Sequence, residues 1–253
     1  MQIGGISIQA IRQQECVEHV MQELDEGRGG WIATANIDHL RRLRTSQEFV
    51  EAYNRTSIVV ADGMPLVWAS RLQGTPLPER VAGSDLINSL SQAAAKRGHS
   101  VFLLGGNPGA AESAADVLMK EQPGLRIAGT SCPPVGFDRD PAQMEALRQE
   151  LAESGADVVY VALGSPKQEL FIDRIREALP NAWWIGVGIS FSFVCGEVHR
   201  APGWMQRCGF EWLHRLVQEP RRLAGRYLFH GTPFAARLML RSMWRRFAPS
   251  ARS

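Results

Sequence analysis

The chain has only four cysteines in 253 residues, Cys16, Cys132, Cys195 and Cys208, with no C-x-x-C spacing among them. That argues against a disulfide framework, a dithiol redox motif and a cysteine zinc site, and the thiols are expected to be reduced, in a cytoplasmic protein. Six histidines, at positions 19, 39, 99, 199, 214 and 230, include no H-x-x-x-H pair, so no helix offers the two-histidine face of a zinc enzyme. No D-x-D pair ends an expected strand, no G-x-G-x-x-G or Walker lysine follows one, and no G-x-S-x-G elbow occurs. A metal-held diphosphate, a dinucleotide fingerprint, a P-loop and a hydrolase nucleophile are disfavoured accordingly. There is no run of about 18–20 apolar residues to span a bilayer. The start, Met1 to Ile6, lacks the basic and apolar regions of a secretory signal.

What is present is the composition of a globular chain, 45% apolar and 21% charged, which excludes disorder and fibrous repeats. At this length folding buries roughly 70–75% of the surface of the unfolded chain, so no staple is required. Charge is spread unevenly. Residues 197–253 hold eleven arginines against Glu197, Glu211 and Glu219, a net +8, whereas residues 1–196 hold 17 basic and 23 acidic side chains, a net −6. The C-terminal quarter is suited to an anionic partner.

Five short apolar runs, 31–36, 57–62, 101–106, 157–164 and 183–188, read as strands buried on both faces. Helical periodicity lies between them, as at 109–121 and 141–154. The expected fold is therefore α/β, a mostly parallel, Rossmann-like sheet flanked by helices. From Ala201 the strand pattern stops, and Trp-, Arg- and Leu-rich helical spacing continues, broken by Pro220, Gly231 and Pro233. We expect an α/β domain over residues 1–196 and a basic helical appendage over 197–253.

Ligands of such sheets sit beyond the carboxyl ends of the strands, and those ends carry the polar candidates. Thr34, Asn36 and Asp62 bring a hydroxyl, an amide and a carboxylate together. Asp62, beside Gly63, suits a general base or equally a cap on the helix that starts near Met64. Gly105-Gly106 opens either a phosphate contact or a tight turn, and Gly186-Val187-Gly188 either a close ligand approach or a bend. Lys167, Gln168 and Glu169 crowd one first helical turn and are expected to face the rim as a clamp on a sugar or diphosphate. In residues 200–223, Trp204, Phe210, Trp212, Leu213 and Leu216 alternate with arginines at helical spacing, as in helices that lie on anionic membranes. The competing reading is an apolar stripe packed on the core with its arginines solvated. No nucleic-acid motif accompanies the charge.

Taken together, Thr34-Ala35-Asn36, Ala61 to Pro65, Arg80 to Leu86, Phe102 to Gly106, Gly164 to Glu169, Gly186 to Gly188 and Arg200 to Leu223 resemble the WecG/TagA/CpsF family of bacterial glycosyltransferases, matching in order from about residue 30 to 228. The resemblance implies an inverting transfer, free of metal and cofactor, from a UDP-sugar to a saccharide on a polyprenyl diphosphate. It implies a peripheral enzyme on the inner face of the cell membrane, making an exopolysaccharide or wall-polymer precursor. Asp62 would be the base, with Thr34 and Asn36 lining the donor site. Departing UDP then needs help from backbone N–H groups, Lys167, Gln168 or the appendage arginines Arg207, Arg215, Arg221 and Arg222. Arg80, Gly105, Gly106, Glu169 and Gly188 complete the expected substrate site. Family members commonly read G-V-G-x-x-F-D, and here Ser192 stands in place of the aspartate. Base recognition is expected to use that hydroxyl or another residue, with Phe137 stacking. The pattern leaves room for a homo-oligomer. The rivals are a nucleotide-dependent oxidoreductase built on the Gly105-Gly106 loop and a membrane-bound scaffold that has lost catalysis.

Overall fold

Strand and helix alternate through the first three quarters of the chain in the computed structural model, which describes residues 1–247. A short antiparallel hairpin, β1 (Gln2–Ile3) and β2 (Ile6–Ser7), precedes α1 (Gln13–Asp25). There follow β3 (Gly30–Ala35), α2 (Ile37–Arg42), α3 (Gln47–Asn54), β4 (Ile58–Ala61), α4 (Met64–Gln73), α5 (Gly83–Arg97), β5 (Ser100–Gly105), α6 (Ala110–Glu121) and β6 (Arg126–Ser131). The α/β part ends with α7 (Pro141–Ser154), β7 (Val158–Ala162), α8 (Lys167–Ile175), β8 (Trp183–Gly186) and α9 (Ser190–Val194). Helices α10 (Gly203–Arg207), α11 (Glu211–Gln218), α12 (Pro220–Ala224), a π-helical stretch (Gly225–Gly231) and α13 (Thr232–Phe247) complete it.

Six strands form one sheet in the order β4-β3-β8-β7-β5-β6, every neighbouring pair parallel. The five expected strands are all there, and the α/β class stands. Their side chains alternate between two apolar layers, as a pleated strand requires. On β7, Val158 and Tyr160 join Leu86, Leu90, Ala114 and Phe191 on one face, while Val159 and Val161 join Leu147, Leu151, Phe171 and Ile172 on the other. The edge strand β6 was not expected, because its sequence Arg-Ile-Ala-Gly-Thr-Ser is only half-buried. Gly129 within it is required: a Cβ there would lie 2.5 Å from the Phe102 ring.

This order positions a crevice. After β3 and β7 the chain crosses to the face of α3 and α8, and after β8 and β5 it crosses to the face of α9 and α6. Adjacent strands thus send their connections to opposite sides, the arrangement in which α/β sheets take ligands beyond the carboxyl ends of the strands. The appendage is not detached from this body. Helix α13 packs on α4, and Leu238 enters the apolar cluster that holds Phe49, Leu66 and Ala69. Among the described residues no helix is long and apolar enough to cross a membrane.

Candidate active site

Strand pairing brings the first candidates together. Ala35 lies opposite Ala61, and the Asp62 N–H donates to the Ala35 carbonyl at 2.7 Å, so Asn36 and Asp62 leave adjacent strand ends. The N-cap of α4 is Gly63, with φ 117°, and carries no side-chain cap. Asp62 is therefore free of the capping role. Its pKa is pushed up to about 6, first by burial, with Arg80 pulling it down and Glu211 and Asp85 pushing it up. Such a carboxylate is mostly ionised at neutral pH yet still takes up a proton readily, which suits a general base.

Asn36 caps α2, its Oδ1 accepting the N–H groups of Asp38 and His39 at 3.0 and 3.1 Å. Thr34 is buried under the start of α5. A Cβ on Gly83 would lie 3.1 Å from the Gly186 carbonyl oxygen and 3.6 Å from Thr34 Oγ1, so glycine lets this helix start rest on the ends of β3 and β8. No side chain caps α5; the Asp85 N–H donates to the Ala82 carbonyl at 3.0 Å, and the Gly83 and Ser84 amides open the helix at the rim.

Beside Asp62 lies a ring of four charges. Arg80 binds Glu211 at 2.6 Å and Asp85 at 3.0 Å, and Arg200 binds Glu211 at 3.1 Å and also Asp85. All four are at least partly buried, and Glu211 belongs to α11, so the ring fastens the appendage to the sheet. Removing one partner would strand charge away from water. The ring was not legible in local spacing, because its members are 5 to 131 residues apart.

The turn at Lys167, Gln168 and Glu169 differs from expectation. Gln168 and Glu169 do not face the rim; they are 5% and 3% exposed. Glu169 Oε1 accepts from Gln168 Nε2 at 2.8 Å and lies 3.4 Å from His39 Nε2, while His39 Nδ1 is 2.7 Å from the Tyr53 hydroxyl. The Gly188 N–H donates to Gln168 Oε1 at 3.1 Å. The physical reason is helical spacing: Gln168 shares a stripe with Phe171, Ile172 and Ile175, all buried. Gly186 accommodates this side chain, since a Cβ there would sit 2.4 Å from Gln168 Nε2. The Tyr53 hydroxyl is held well above its usual pKa by burial, then by the charges of Glu169 and Asp62.

Lys167 stays near the surface, 2.9 Å from Asp138 and 4.7 Å above the Phe137 ring centre. Phe137 itself is 1% exposed and meets Phe171 edge-on, so its ring is committed to the core instead of a nucleotide base. Asp138 and Asp140 form a D-x-D pair in the connection after β6, where Asp138 pairs with Lys167 at the start of α8 and Asp140 caps α7. Among the described residues no group of three or more His, Cys, Asp or Glu side chains could hold a metal ion.

At the end of β5, Gly105 and Gly106 have φ near +90°, and a Cβ on Gly105 would lie 2.9 Å from the Ala162 carbonyl oxygen. The tight turn is thus a requirement of the backbone. Ser192 is buried and donates to Glu197 Oε2 at 2.8 Å, and Asn107 Nδ2 donates to the same oxygen at 3.4 Å. An exposed carboxylate from five residues downstream therefore stands against Ser192, a contact that motif reading missed. Arg215 lies 6.0 Å over the Phe193 ring, and Arg221 is exposed on α12. The side chains of Arg207 and Arg222 lie outside the described residues.

The model of the family described as "Glycosyl transferase WecG/TagA/CpsF family" matches residues 1–248. The chain belongs to this family. It is 34% identical over 199 residues to the N-acetylglucosaminyldiphosphoundecaprenol N-acetyl-beta-D-mannosaminyltransferase of Bacillus spizizenii (strain ATCC 23059 / NRRL B-14472 / W23), and 32% identical to the protein of that name from Bacillus subtilis (strain 168). Both alignments cover 79% of this chain and 75% of the relative. The protein is a glycosyltransferase, as its motifs led us to expect, and the oxidoreductase reading is set aside.

Proposed function

We propose that this glycosyltransferase moves an N-acetylmannosamine-type sugar from a UDP-sugar to a polyprenyl-diphosphate-linked N-acetylglucosamine, with inversion and without a divalent ion. The relatives are named for such an acceptor and a β-linked product. The observation that carries the reading is Asp62, a carboxylate with a pKa of about 6 at a parallel-strand end.

In this reading Asp62 accepts the proton of the acceptor hydroxyl as its oxygen bonds to the anomeric carbon. The bond from that carbon to the UDP oxygen breaks, and the electron pair leaves on UDP. Positioned donors are worth most where charge develops. The amides at the start of α5, Lys167 and the arginines Arg207, Arg215, Arg221 and Arg222 are the groups we assign to the leaving diphosphate. Thr34, Asn36, Arg80, Gly105, Gly106 and Gly188 line the donor side, Gln168 and Glu169 support it from beneath, and Ser192 acts on the nucleotide through Glu197.

The same reading places the enzyme on the inner face of the cell membrane, in exopolysaccharide or wall-polymer synthesis. Trp204, Phe210, Val217, Phe229 and Trp244 are exposed on the appendage among its arginines. Each basic residue near an anionic surface contributes about 1 kcal/mol, so four or five suffice for useful binding. The test supplies UDP-N-acetylmannosamine and the GlcNAc lipid diphosphate in vesicles to the full-length protein, with and without EDTA. A β-linked disaccharide lipid formed equally in both supports the reading. No transfer at all, or transfer lost in EDTA and restored by Mg²⁺, contradicts it.

A further inference from the structure

Away from the rim, α13 and the β1–β2 turn border a cleft of about 340 Å³, lined by Gly4, Gly5, Arg44, Gln73, Arg241 and Arg245 among others, and no Asp or Glu is among the lining residues. The three guanidinium groups come from two distant parts of the chain. Arg44 stacks over the Phe234 ring at 4.6 Å, and its pKa lies below the usual arginine value through burial, then through the nearby charges of Arg241 and Arg237. Folding thus gathers three exposed guanidinium groups at one cleft, a concentration of like charge that attracts an anion. Gln73 ends α4, whose first residue follows Asp62 closely; ten helical residues span about 15 Å, so the cleft is separate from the catalytic rim. On the outer side of the same α13, Leu240, Met243 and Trp244 are 55%, 42% and 78% exposed. Arginine forks match the oxygens of a phosphate bidentately.

We infer that this cleft is a binding site for a phosphate group, carried by a lipid headgroup or free in solution. The headgroup source rests on the reading of the appendage as a membrane surface, whereas the phosphate chemistry does not. The experiment uses full-length protein and the variants Arg44→Gln, Arg241→Gln and, as a control of equal charge outside the cleft lining and without charge coupling to Arg44, Arg71→Gln on α4. A single cooperative melt in chloride buffer establishes that each is folded. One arm measures binding to phosphatidylglycerol vesicles against phosphatidylcholine vesicles; the other measures the melting shift caused by inorganic phosphate at constant ionic strength. Loss of one diffuse charge weakens vesicle binding about fivefold. Arg44→Gln and Arg241→Gln are expected to weaken it about tenfold or more, and Arg71→Gln no more than the diffuse value. A phosphate-induced rise in the wild-type melting temperature that both cleft variants lose shows a site that takes free phosphate. Cleft-specific loss of vesicle binding without that rise shows a headgroup site. If the protein ignores vesicles, the membrane reading fails, and the phosphate arm alone decides. No phosphate shift, together with three variants that behave alike on vesicles, overturns the proposal.

Discussion

The rim of the sheet and the helical appendage use polar side chains in opposite ways. On the rim they are mostly buried and already partnered: Asn36 with α2, Gln168 with Gly188, Glu169 with Gln168 and His39. The scaffold thus fixes these side chains by contacts within the chain, the preorganisation that the proposed site would need. On the appendage the large apolar residues Val217, Phe229 and Trp244 stand in the open beside arginines, and few of its side chains are buried. Exposed apolar surface of this kind is what the proposed membrane contact would use. The two regions meet at the ring of Arg80, Asp85, Arg200 and Glu211, so whatever the appendage touches is mechanically tied to the residues around Asp62.

The contrast can be broken most severely at the base. Asp62→Asn should lower turnover about 10²–10⁴-fold while leaving the fold intact. A raised native pKa means that the folded state holds the proton more tightly than the unfolded chain. The stability cost of the charge is therefore absent below pH 4, grows as pH rises toward 6 and is full above it. The variant should melt at or above the wild-type temperature at pH 7.5, by at most about 3 kcal/mol of stability, with the gap closing near pH 4. Next in size is removal of residues from about 197, which should release the protein from anionic vesicles and lower transfer to lipid acceptor, by less than the loss of the Asp62 carboxylate does. The six-stranded sheet is complete before that point, so circular dichroism should retain its α/β signature, although Leu238 leaves the core. A truncated form that transfers at the full-length rate would detach the appendage from catalysis. Gly105→Ala should destabilise by about 1–3 kcal/mol, through its positive φ and the close Ala162 carbonyl, read by urea titration. Arg80→Gln should move the acid limb of the rate profile upward, because Arg80 is the main charge holding the Asp62 pKa down, and should also lower stability in urea titration, because Asp85 and Glu211 lose a partner in the partly buried ring.

Much of the fold was legible because strands buried on both faces write themselves as unbroken apolar runs, as Val158–Ala162 does. The half-buried edge strand β6, with Arg126, Gly129, Thr130 and Ser131, carries no such run and passed unread. Strand-end residues such as Asn36 and Asp62 could be located from sequence, since a strand end fixes where they leave the sheet. Their partners could not. The inward turn of Gln168 did have a signal, its place four residues before Ile172 and seven before Ile175, but polarity outweighed periodicity in our reading. The Ser192–Glu197 contact and the four-charge ring depend on how loops return over the sheet, which local spacing does not encode.

The central claim, that Asp62 at the end of β4 is the base of the transfer, is tested most directly by the pH dependence of kcat/KM for the wild type, with UDP-N-acetylmannosamine and the GlcNAc lipid diphosphate in vesicles. The account predicts a rate that falls on acidification with a midpoint of about 6, together with a flat profile across that range for the residual activity of Asp62→Asn. A wild-type profile with no acid limb between pH 5 and 7, about one unit either side of that midpoint, or an Asp62→Asn enzyme that keeps both the limb and the wild-type rate, would contradict it.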